Sequence, residues 1–244
     1  MKQRIIALII ALGFGIGLQA QTKGDRENLL ALKKAAQVFM DTAYLHVDMT
    51  YRYATATEPE NFQDSLGGSL KTWKNNYWYK MDQTEVVCDG KKMVIIYKED
   101  RVLYLSTPET GNTSRQQFAL LDSLLAGKYP IESFMVEEKG YKKYTIRFTE
   151  PTLYQQMEFW INTKGRVART RQVLHEGLFM EPTQKTGKTD SDWMIIDVQY
   201  TGYRQNDFNP LDFSTERLVR KEKDKWVAQA PYQDYSVFSA KPNL

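Results

Sequence analysis

The chain has 244 residues, and its formal charge at pH 7 is +3. Loss of Lys2 and Arg4 with an N-terminal signal would lower this charge to +1, and so small a charge offers no electrostatic basis for binding nucleic acid. The single cysteine, Cys88, excludes an internal disulfide, so the fold depends on an apolar core. Cys88 follows Val86 and Val87, and we expect it to pack as a small apolar residue.

The first 20 residues predict a secretory signal peptide. Lys2 and Arg4 form a basic head, an apolar run extends from Ile5 to Leu18, and Ala20 offers a small residue before the cleavage point. The alternative is a membrane anchor, but glycines interrupt the run and it is short for the ~20 residues that cross a bilayer. No cysteine follows the run, so no lipid attachment is expected. We therefore expect residues 21–244 to form one soluble periplasmic domain.

A helix and then six strands are predicted for the first half of the chain. Apolar residues recur at intervals of three and four within residues 26–43, as in an amphipathic helix. Leu45–Tyr53 alternates apolar and polar residues, which predicts a strand with one buried face. Tight turns such as Asn75-Asn76 and Asp89-Gly90 indicate antiparallel pairing of the strands that follow. These are Ser69–Trp73, Tyr77–Met81, Thr84–Cys88, Met93–Tyr97 and Val102–Ser106.

A second helix interrupts the strands. Ser114–Ala126 carries an apolar stripe at helical spacing, and Gly127 is a good terminator. Met180–Asp192 is polar and rich in turn residues, so we expect a surface loop there. Further strands are predicted at Phe134–Glu138, Lys143–Phe148, Gln156–Ile161, Val167–Leu174, Trp193–Tyr200 and Tyr235–Phe238. The predicted fold is mainly β (α+β), with one large curled antiparallel sheet of about 10–11 strands and two helices.

Two stretches of predicted strand, Met93–Tyr97 and Val102–Leu105, are apolar on both faces. A strand with one face in water should alternate, so both faces are covered or hollowed. In one interpretation a helix packs on one face and side chains fill the other. In the second interpretation the concave face of a curled sheet is an apolar cavity with a helix across its mouth. The pattern alone favours neither interpretation.

No motif in the chain predicts catalysis, a cofactor or a metal. His46 and Asp48 lie on one face of a strand, but the sequence points to no third metal ligand, and we expect both on the solvated surface. The alternating charges of Arg217–Lys225 also predict a solvated face. Gly-x-Ser-x-Gly and His-Glu-x-x-His motifs are absent, so we predict that the protein is not an enzyme, and a hydrolase ranks third among the hypotheses.

Residues 67–97 contain four features in a fixed order. They are a Gly-x-Leu strand, a turn, an aromatic strand and a Val-x-Asp-Gly-Lys hairpin that leads to an aromatic residue. In this chain the features are Gly68-Ser69-Leu70, Asn75-Asn76, Tyr77-Trp78-Tyr79, and Val87-Cys88-Asp89-Gly90-Lys91 leading to Tyr97. This order resembles the LolA/LolB-like family of periplasmic carriers and receptors that move lipoproteins to the outer membrane. The resemblance implies an unclosed half-barrel with two helices over its concave, apolar mouth.

The resemblance also implies where a ligand and a lid would lie. Aromatic residues are candidates for lining the cavity, and Lys74 is the candidate for the lid contact. Lys74 occupies the place of a family Arg that helps to hold the helical lid shut, although a Lys lacks the rigid fork of an Arg. The cavity candidates are Trp73, Tyr77, Trp78, Tyr79, Tyr97 and Tyr104.

We therefore expect a soluble periplasmic monomer that binds the acyl chains of lipoproteins, or another apolar ligand, for transfer toward the outer membrane. The absence of a lipidated cysteine favours a carrier over an anchored receptor. An inner-membrane releasing complex and an outer-membrane acceptor would be its partners. The alternative is a non-catalytic cell-envelope interaction protein with a filled core and no ligand.

Overall fold

The computed structural model describes residues 22–39, 43–108, 120–175, 193–223 and 225–240. The predicted signal peptide and the predicted loop Met180–Asp192 lie outside these ranges. Residues 114–119, the first part of the second predicted helix, lie outside them as well.

The first helix, α1 (Lys23–Ala36), begins at a capping box. The hydroxyl of Thr22 accepts the backbone N–H of Asp25, and the carboxylate of Asp25 accepts the backbone N–H of Thr22. These bonds satisfy N–H groups that the start of a helix leaves free. A 3-10 turn, Gln37–Phe39, follows, and Ala43 is exposed and not helical, so the helix ends earlier than predicted.

Strands account for most of the remaining described residues. A second helix, α2, is described over residues 120–125, and Gly127 follows it with a left-handed φ of +69°. A 3-10 helix, Pro210–Phe213, precedes the C-terminal strands. The strands are β1 (Leu45–Thr55), β2 (Asp64–Trp73), β3 (Asn76–Met81), β4 (Thr84–Cys88), β5 (Met93–Tyr97), β6 (Val102–Ser106), β7 (Ile131–Glu138), β8 (Tyr141–Phe148), β9 (Tyr154–Ile161), β10 (Val167–His175), β11 (Trp193–Arg204), β12 (Val219–Glu222), β13 (Lys225–Ala228) and β14 (Ser236–Ser239).

Twelve of these strands form one curled sheet in the order β14-β6-β5-β4-β3-β2-β1-β11-β10-β9-β8-β7. Every neighbouring pair is antiparallel except β14 and β6, which are parallel. The edge strands β14 and β7 are not paired with each other, so the sheet is an unclosed half-barrel. The predicted fold class is confirmed, and the sheet has slightly more strands than expected.

The two faces of the sheet are covered by different parts of the chain. We call the inner face the one against which α1 and α2 pack, and the outer face the opposite one. Leu29 and Leu32 of α1 and Leu124 of α2 form a core on the inner face, mainly with β1 and β7–β10. A second core lies on the outer face of β4–β6, under C-terminal residues that include Leu218 and Trp226. The helices and the C-terminal segment therefore cover opposite faces of different halves of the sheet.

The C-terminal region departs from the sequence-based expectations in two places. Tyr235–Phe238 was expected to be antiparallel, whereas β14 runs parallel to β6, because the chain crosses the outer face before it reaches that edge. Arg217–Lys225 was expected to be a solvated face, but Leu218 and Val219 are buried in the outer core, and the hairpin β12–β13 starts there. The alternating charges obscure these two apolar residues.

A buried carboxylate connects the strands at the middle of the sheet. Asp197 of β11 is fully buried and accepts hydrogen bonds from Arg52 of β1 at 2.8 Å and from Arg169 and Arg171 of β10 at 2.5 and 3.1 Å. Burial opposes ionisation of this carboxyl, but the three arginines outweigh that effect and lower the pKa of Asp197. The cluster therefore ties together three neighbouring strands on the outer face.

We predict that Asp197→Asn lowers the free energy of unfolding by about 3 kcal/mol, because three guanidinium groups then share no carboxylate. Urea unfolding of the purified protein measures this loss. Asp234→Asn is the matched control, since Asp234 is exposed and pairs with Arg101 on the surface, where a pair contributes at most about 1 kcal/mol. Equal losses in the two variants would contradict a central role for Asp197.

The contribution of Asp197 should also depend on pH. A carboxyl whose pKa is lowered in the folded state stabilises fully above its ordinary pKa of 3.8, and this stability is lost as the pH falls through the folded value. The difference in stability between the wild type and Asp197→Asn should therefore be largest near pH 7 and shrink below about pH 4. Urea midpoints of both proteins at several pH values test this, and a difference that does not change with pH would refute it.

Candidate functional site

The inner face of β2–β6 and β14 is apolar and only partly buried. We call this surface the open inner face. Strand register places uncharged residues at every inner-face position of these strands except Asp64 at the start of β2. Its main residues are Leu66, Gly68, Tyr79, Met81, Val86, Met93, Ile95, Tyr97, Val102, Tyr104 and Phe238.

The outer face of three of these strands, β4–β6, is buried. Val94 and Ile96 of β5 and Leu103 and Leu105 of β6 have no exposed surface, because the C-terminal segment packs over them. Their neighbours on the inner face, such as Ile95, stay partly exposed. The apolar character of both faces therefore has two causes. One face is covered, by the C-terminal segment rather than by a helix, and the other is the open inner face.

Tyrosine hydroxyls and methionine sulfurs lie next to each other on the inner face. The hydroxyl of Tyr79 donates to Sδ of Met81 at 3.0 Å, and that of Tyr77 donates to Sδ of Met93 at 3.0 Å. Burial raises the pKa of Tyr79, so its hydroxyl stays protonated at neutral pH. Methionine side chains are flexible and polarisable, which lets them adapt to different apolar shapes. The lining is therefore neutral and adaptable.

The structure divides the six predicted cavity residues between the two faces. Trp73 and Trp78 lie on the outer face, so they do not share a surface with the other four. The physical reason is strand alternation, since a residue between two inward-facing tyrosines must point outward. The four that lie on the inner face are Tyr77, Tyr79, Tyr97 and Tyr104.

Both tryptophans have partners on the outer side. Nε1 of Trp78 donates to the carboxylate of Glu85 at 2.7 Å, and its ring packs against the outer core. The ring of Trp73 lies 4.9 Å from that of Phe208 and 6.0 Å from that of Phe213, measured between centroids. These tryptophans help to hold the C-terminal segment against the outer face of the sheet.

Lys74 lies in the turn between β2 and β3 with a left-handed φ of +56°. Its Nζ is 4.8 Å from the centroid of the Trp73 ring. This contact places the ammonium group against an aromatic ring of the outer face. Its role as a lid contact stays a prediction.

A polar cluster on the outer face was not foreseen from the sequence. His46 was expected to be solvated but is buried, with Nδ1 2.5 Å from the Asp207 carboxylate. Its Nε2 lies 2.9 Å from Oγ of Ser69 and 2.8 Å from Nη2 of Arg204. Strand register could have placed Ser69 near His46. Asp207 and Arg204 come from a distant part of the chain, which no local pattern reveals.

Ser69, His46 and Asp207 have the connectivity of a hydrolase triad, but their surroundings do not support catalysis. The hydroxyl of Ser69 donates to Asp48 at 2.7 Å, and Arg204 donates to the nitrogen that would have to accept the serine proton. The backbone N–H of Ser69 belongs to an interior strand, so it is used in the sheet rather than in an oxyanion hole. The Asp48 carboxylate would also repel an oxyanion.

The same cluster attaches the chain after β11 to the sheet. Arg204 donates to the Asp48 carboxylate at 2.8 Å, and Lys71 pairs with Asp212 at 2.6 Å. Gly202 has a φ of +61°, and a Cβ there would lie 2.5 Å from Oδ2 of Asp48, so only glycine leaves room for this ion pair. Burial opposes ionisation of Asp207, but its interactions with His46 and Tyr44 together outweigh this and lower the pKa of Asp207.

Three further features of the described part of the chain concern metal ligands, membrane-spanning helices and the cysteine. Within those ranges no three His, Cys, Asp or Glu side chains are grouped in a way that could hold a metal ion. In the same ranges no helix has the length and apolar character needed to cross a membrane. Cys88 is buried as predicted, and burial raises the pKa of its thiol.

The sequence matches no protein-family model and no curated protein. Solved structures that are similar to the chain include the following three. One is a LolA superfamily protein from Nitrosomonas europaea, 13% identical, covering 78% of this chain and 98% of that chain, with a TM-score of 0.33. A DUF1329 family protein from Desulfovibrio piger is 8% identical, covers 80% of this chain and 97% of its own, and has a TM-score of 0.34.

The third is an outer membrane lipoprotein-sorting protein domain from Vibrio parahaemolyticus, 10% identical, covering 79% of this chain and 98% of that chain, with a TM-score of 0.27. Two of the three are thus the kind of protein that residues 67–97 resemble. All three TM-scores are below 0.5. The functional assignment therefore rests on the geometry of the open inner face rather than on these likenesses.

Proposed function

We propose that the protein is a periplasmic carrier that binds the acyl chains of lipoproteins, or another apolar lipid, on its open inner face. One observation supports this most directly. Strands β4–β6 bury their outer face completely yet leave apolar inner-face residues such as Ile95 and Tyr104 partly exposed. A contiguous apolar surface of this kind is typical of a ligand or partner site. Cleavage of the signal peptide after Ala20 would release residues 21–244 as one carrier domain.

The chemistry of the lining indicates what the ligand is made of. Apart from Asp64 at one end, the open inner face offers no charged group, so the bound part of the ligand is uncharged and any charged headgroup stays at the rim. Each buried methylene contributes ~0.8 kcal/mol, so ten of them supply roughly 8 kcal/mol before the cost of ordering is subtracted. The Tyr–Met lining accommodates chains that differ in length.

A carrier also needs partners and a way to release its ligand. An inner-membrane complex would load the protein, and an outer-membrane acceptor would unload it. Lys74 is the proposed lid contact in this cycle, and its position in the tight turn after β2 would let a small movement of that turn change the contact. The alternative role is that of an envelope interaction protein without a ligand, and the next two experiments distinguish it from a carrier.

The distribution of tryptophan makes ligand position measurable. All five tryptophans lie on the outer face or in the segment that covers it, namely Trp73, Trp78, Trp160, Trp193 and Trp226. A brominated fatty acid quenches tryptophan on contact, so it should leave the intrinsic emission of the wild type unchanged. In Tyr104→Trp the same ligand should quench the new emission. Tyr141→Trp is the control, because Tyr141 lies on the outer face and is 39% exposed, close to the 37% of Tyr104. Equal quenching in both variants would refute the proposed position.

A charge on the open inner face should expel the ligand. We predict that organic extracts of gently purified wild-type protein contain lipid, and that Tyr104→Asp lowers the amount at least tenfold, because a buried carboxylate beside an acyl chain is left unpaired. Mass spectrometry of the extracts measures the amount and identifies the lipid. Tyr141→Asp, on the outer face, should retain the wild-type amount. Extracts without lipid, together with no binding of bis-ANS by the native protein, would favour the interaction protein with a filled core.

A further inference from the structure

The strand at one end of the sheet, β7, has an exposed apolar edge. One edge of β7 pairs with β8, and no described strand pairs with its other edge. Phe134, Met135 and Val136 are 44%, 42% and 52% exposed. An edge of this kind is a template for pairing with another strand.

The backbone groups that this edge offers follow from two hydrogen bonds. The carbonyl of Pro130 accepts the N–H of Thr149 at 3.2 Å, so even-numbered positions of β7 direct their N–H and C=O groups toward β8. The N–H of Ser133, at an odd-numbered position, is instead accepted by Asp25 of α1 at 2.6 Å. The N–H and C=O groups of Met135 and Glu137 therefore point away from the sheet. The start of α1 therefore blocks strand pairing at Ser133, and the open part of the edge consists of Met135 and Glu137.

We propose that β7 pairs with β7 of a second copy of this chain, antiparallel, about a two-fold axis at Val136. This register places Met135 opposite Glu137 of the second copy, and each such pair exchanges two backbone hydrogen bonds. It places Phe134 opposite Glu138 and one Val136 against the other. The four backbone hydrogen bonds of this register use only Met135 and Glu137 of each copy, which belong to the open part of the edge.

Neighbouring registers are excluded by contacts and charges. Two-fold pairing about Phe134 or Met135 requires the N–H of Ser133, which Asp25 already holds. Pairing about Glu137 sets two carboxylates directly opposite each other, which is unfavourable. Pairing about Val136 instead brings Lys139 of the second copy opposite Ser133, next to the Asp25 carboxylate. Among these four registers, pairing about Val136 alone avoids both the occupied N–H of Ser133 and the opposed carboxylates.

The proposed dimer is small and differs from the sequence-based expectation of a monomer. Few backbone bonds and three exposed apolar side chains per chain indicate a weak, concentration-dependent association. Opposed residues in an antiparallel pair point to the same face, so the two open inner faces lie on the same side of one continuous sheet. Both remain accessible to a ligand.

Analytical ultracentrifugation of the purified protein at increasing concentration tests the proposal. The mass of the wild type should rise from one chain toward two. Val136→Lys should stay at one chain, because two ammonium groups meet at the axis. The control is Leu153→Lys, since Leu153 is 50% exposed and lies outside β7, and it should behave as the wild type does. An equimolar mixture of Val136→Lys and Val136→Glu should recover the two-chain mass, because opposite charges then meet across the axis.

Three results would overturn the proposal. They are a wild type that stays at one chain at every concentration, a Val136→Lys protein that dimerises as the wild type does, and a mixture that does not recover. Hydrogen exchange gives a residue-level readout, because the amides of Met135 and Glu137 should become more protected as the concentration rises. Protection that is already complete in dilute, single-chain samples would mean that this chain itself covers the edge, and would also overturn the proposal.

Discussion

The pairing of β1 with β11 joins the two halves of the sheet, and the other features of the molecule depend on it. Strands β2–β6 follow β1 in sequence, and β7–β10 precede β11, so each half is a set of neighbouring hairpins. Within the sheet, the hydrogen bonds between β1 and β11 are the ones that connect one half with the other. Asp197 strengthens this connection, since it accepts hydrogen bonds from Arg52 on β1 and from two arginines on β10. Loss of these partners would leave a buried carboxylate without a compensating charge, which strongly destabilises the folded state.

Once the halves are joined, the chain covers them unequally. The helices pack on the inner face of one half, where α1 is fixed to β7 through Asp25 and Ser133. The C-terminal segment packs on the outer face of the other half. The open inner face is what neither cover reaches among the described residues. An exposed apolar surface thus arises from the placement of two covers, with no specialised motif.

The His46 cluster shows how a structural role can resemble a catalytic one. A serine, a histidine and an aspartate lie in contact because they hold residues 204–212 against the sheet. Asp48 and Arg204 take up the hydrogen-bonding capacity that catalysis would require. The C-terminal cover depends on this attachment, and with it the burial of the outer face of β4–β6.

Local signals in the sequence determined the two helices, most strands and their turns, because side-chain periodicity and turn residues act over only a few positions. They also determined the class of fold, since short sequential strands of this number form a curled antiparallel sheet. The alternation of side chains along a strand predicts that Trp78 and Tyr79 point to opposite faces, but it does not predict which face meets the helices. That choice, the parallel pairing of β14, the burial of Leu218 and the partners of His46 were decided by tertiary structure alone, because each depends on contacts between residues that are far apart in the chain.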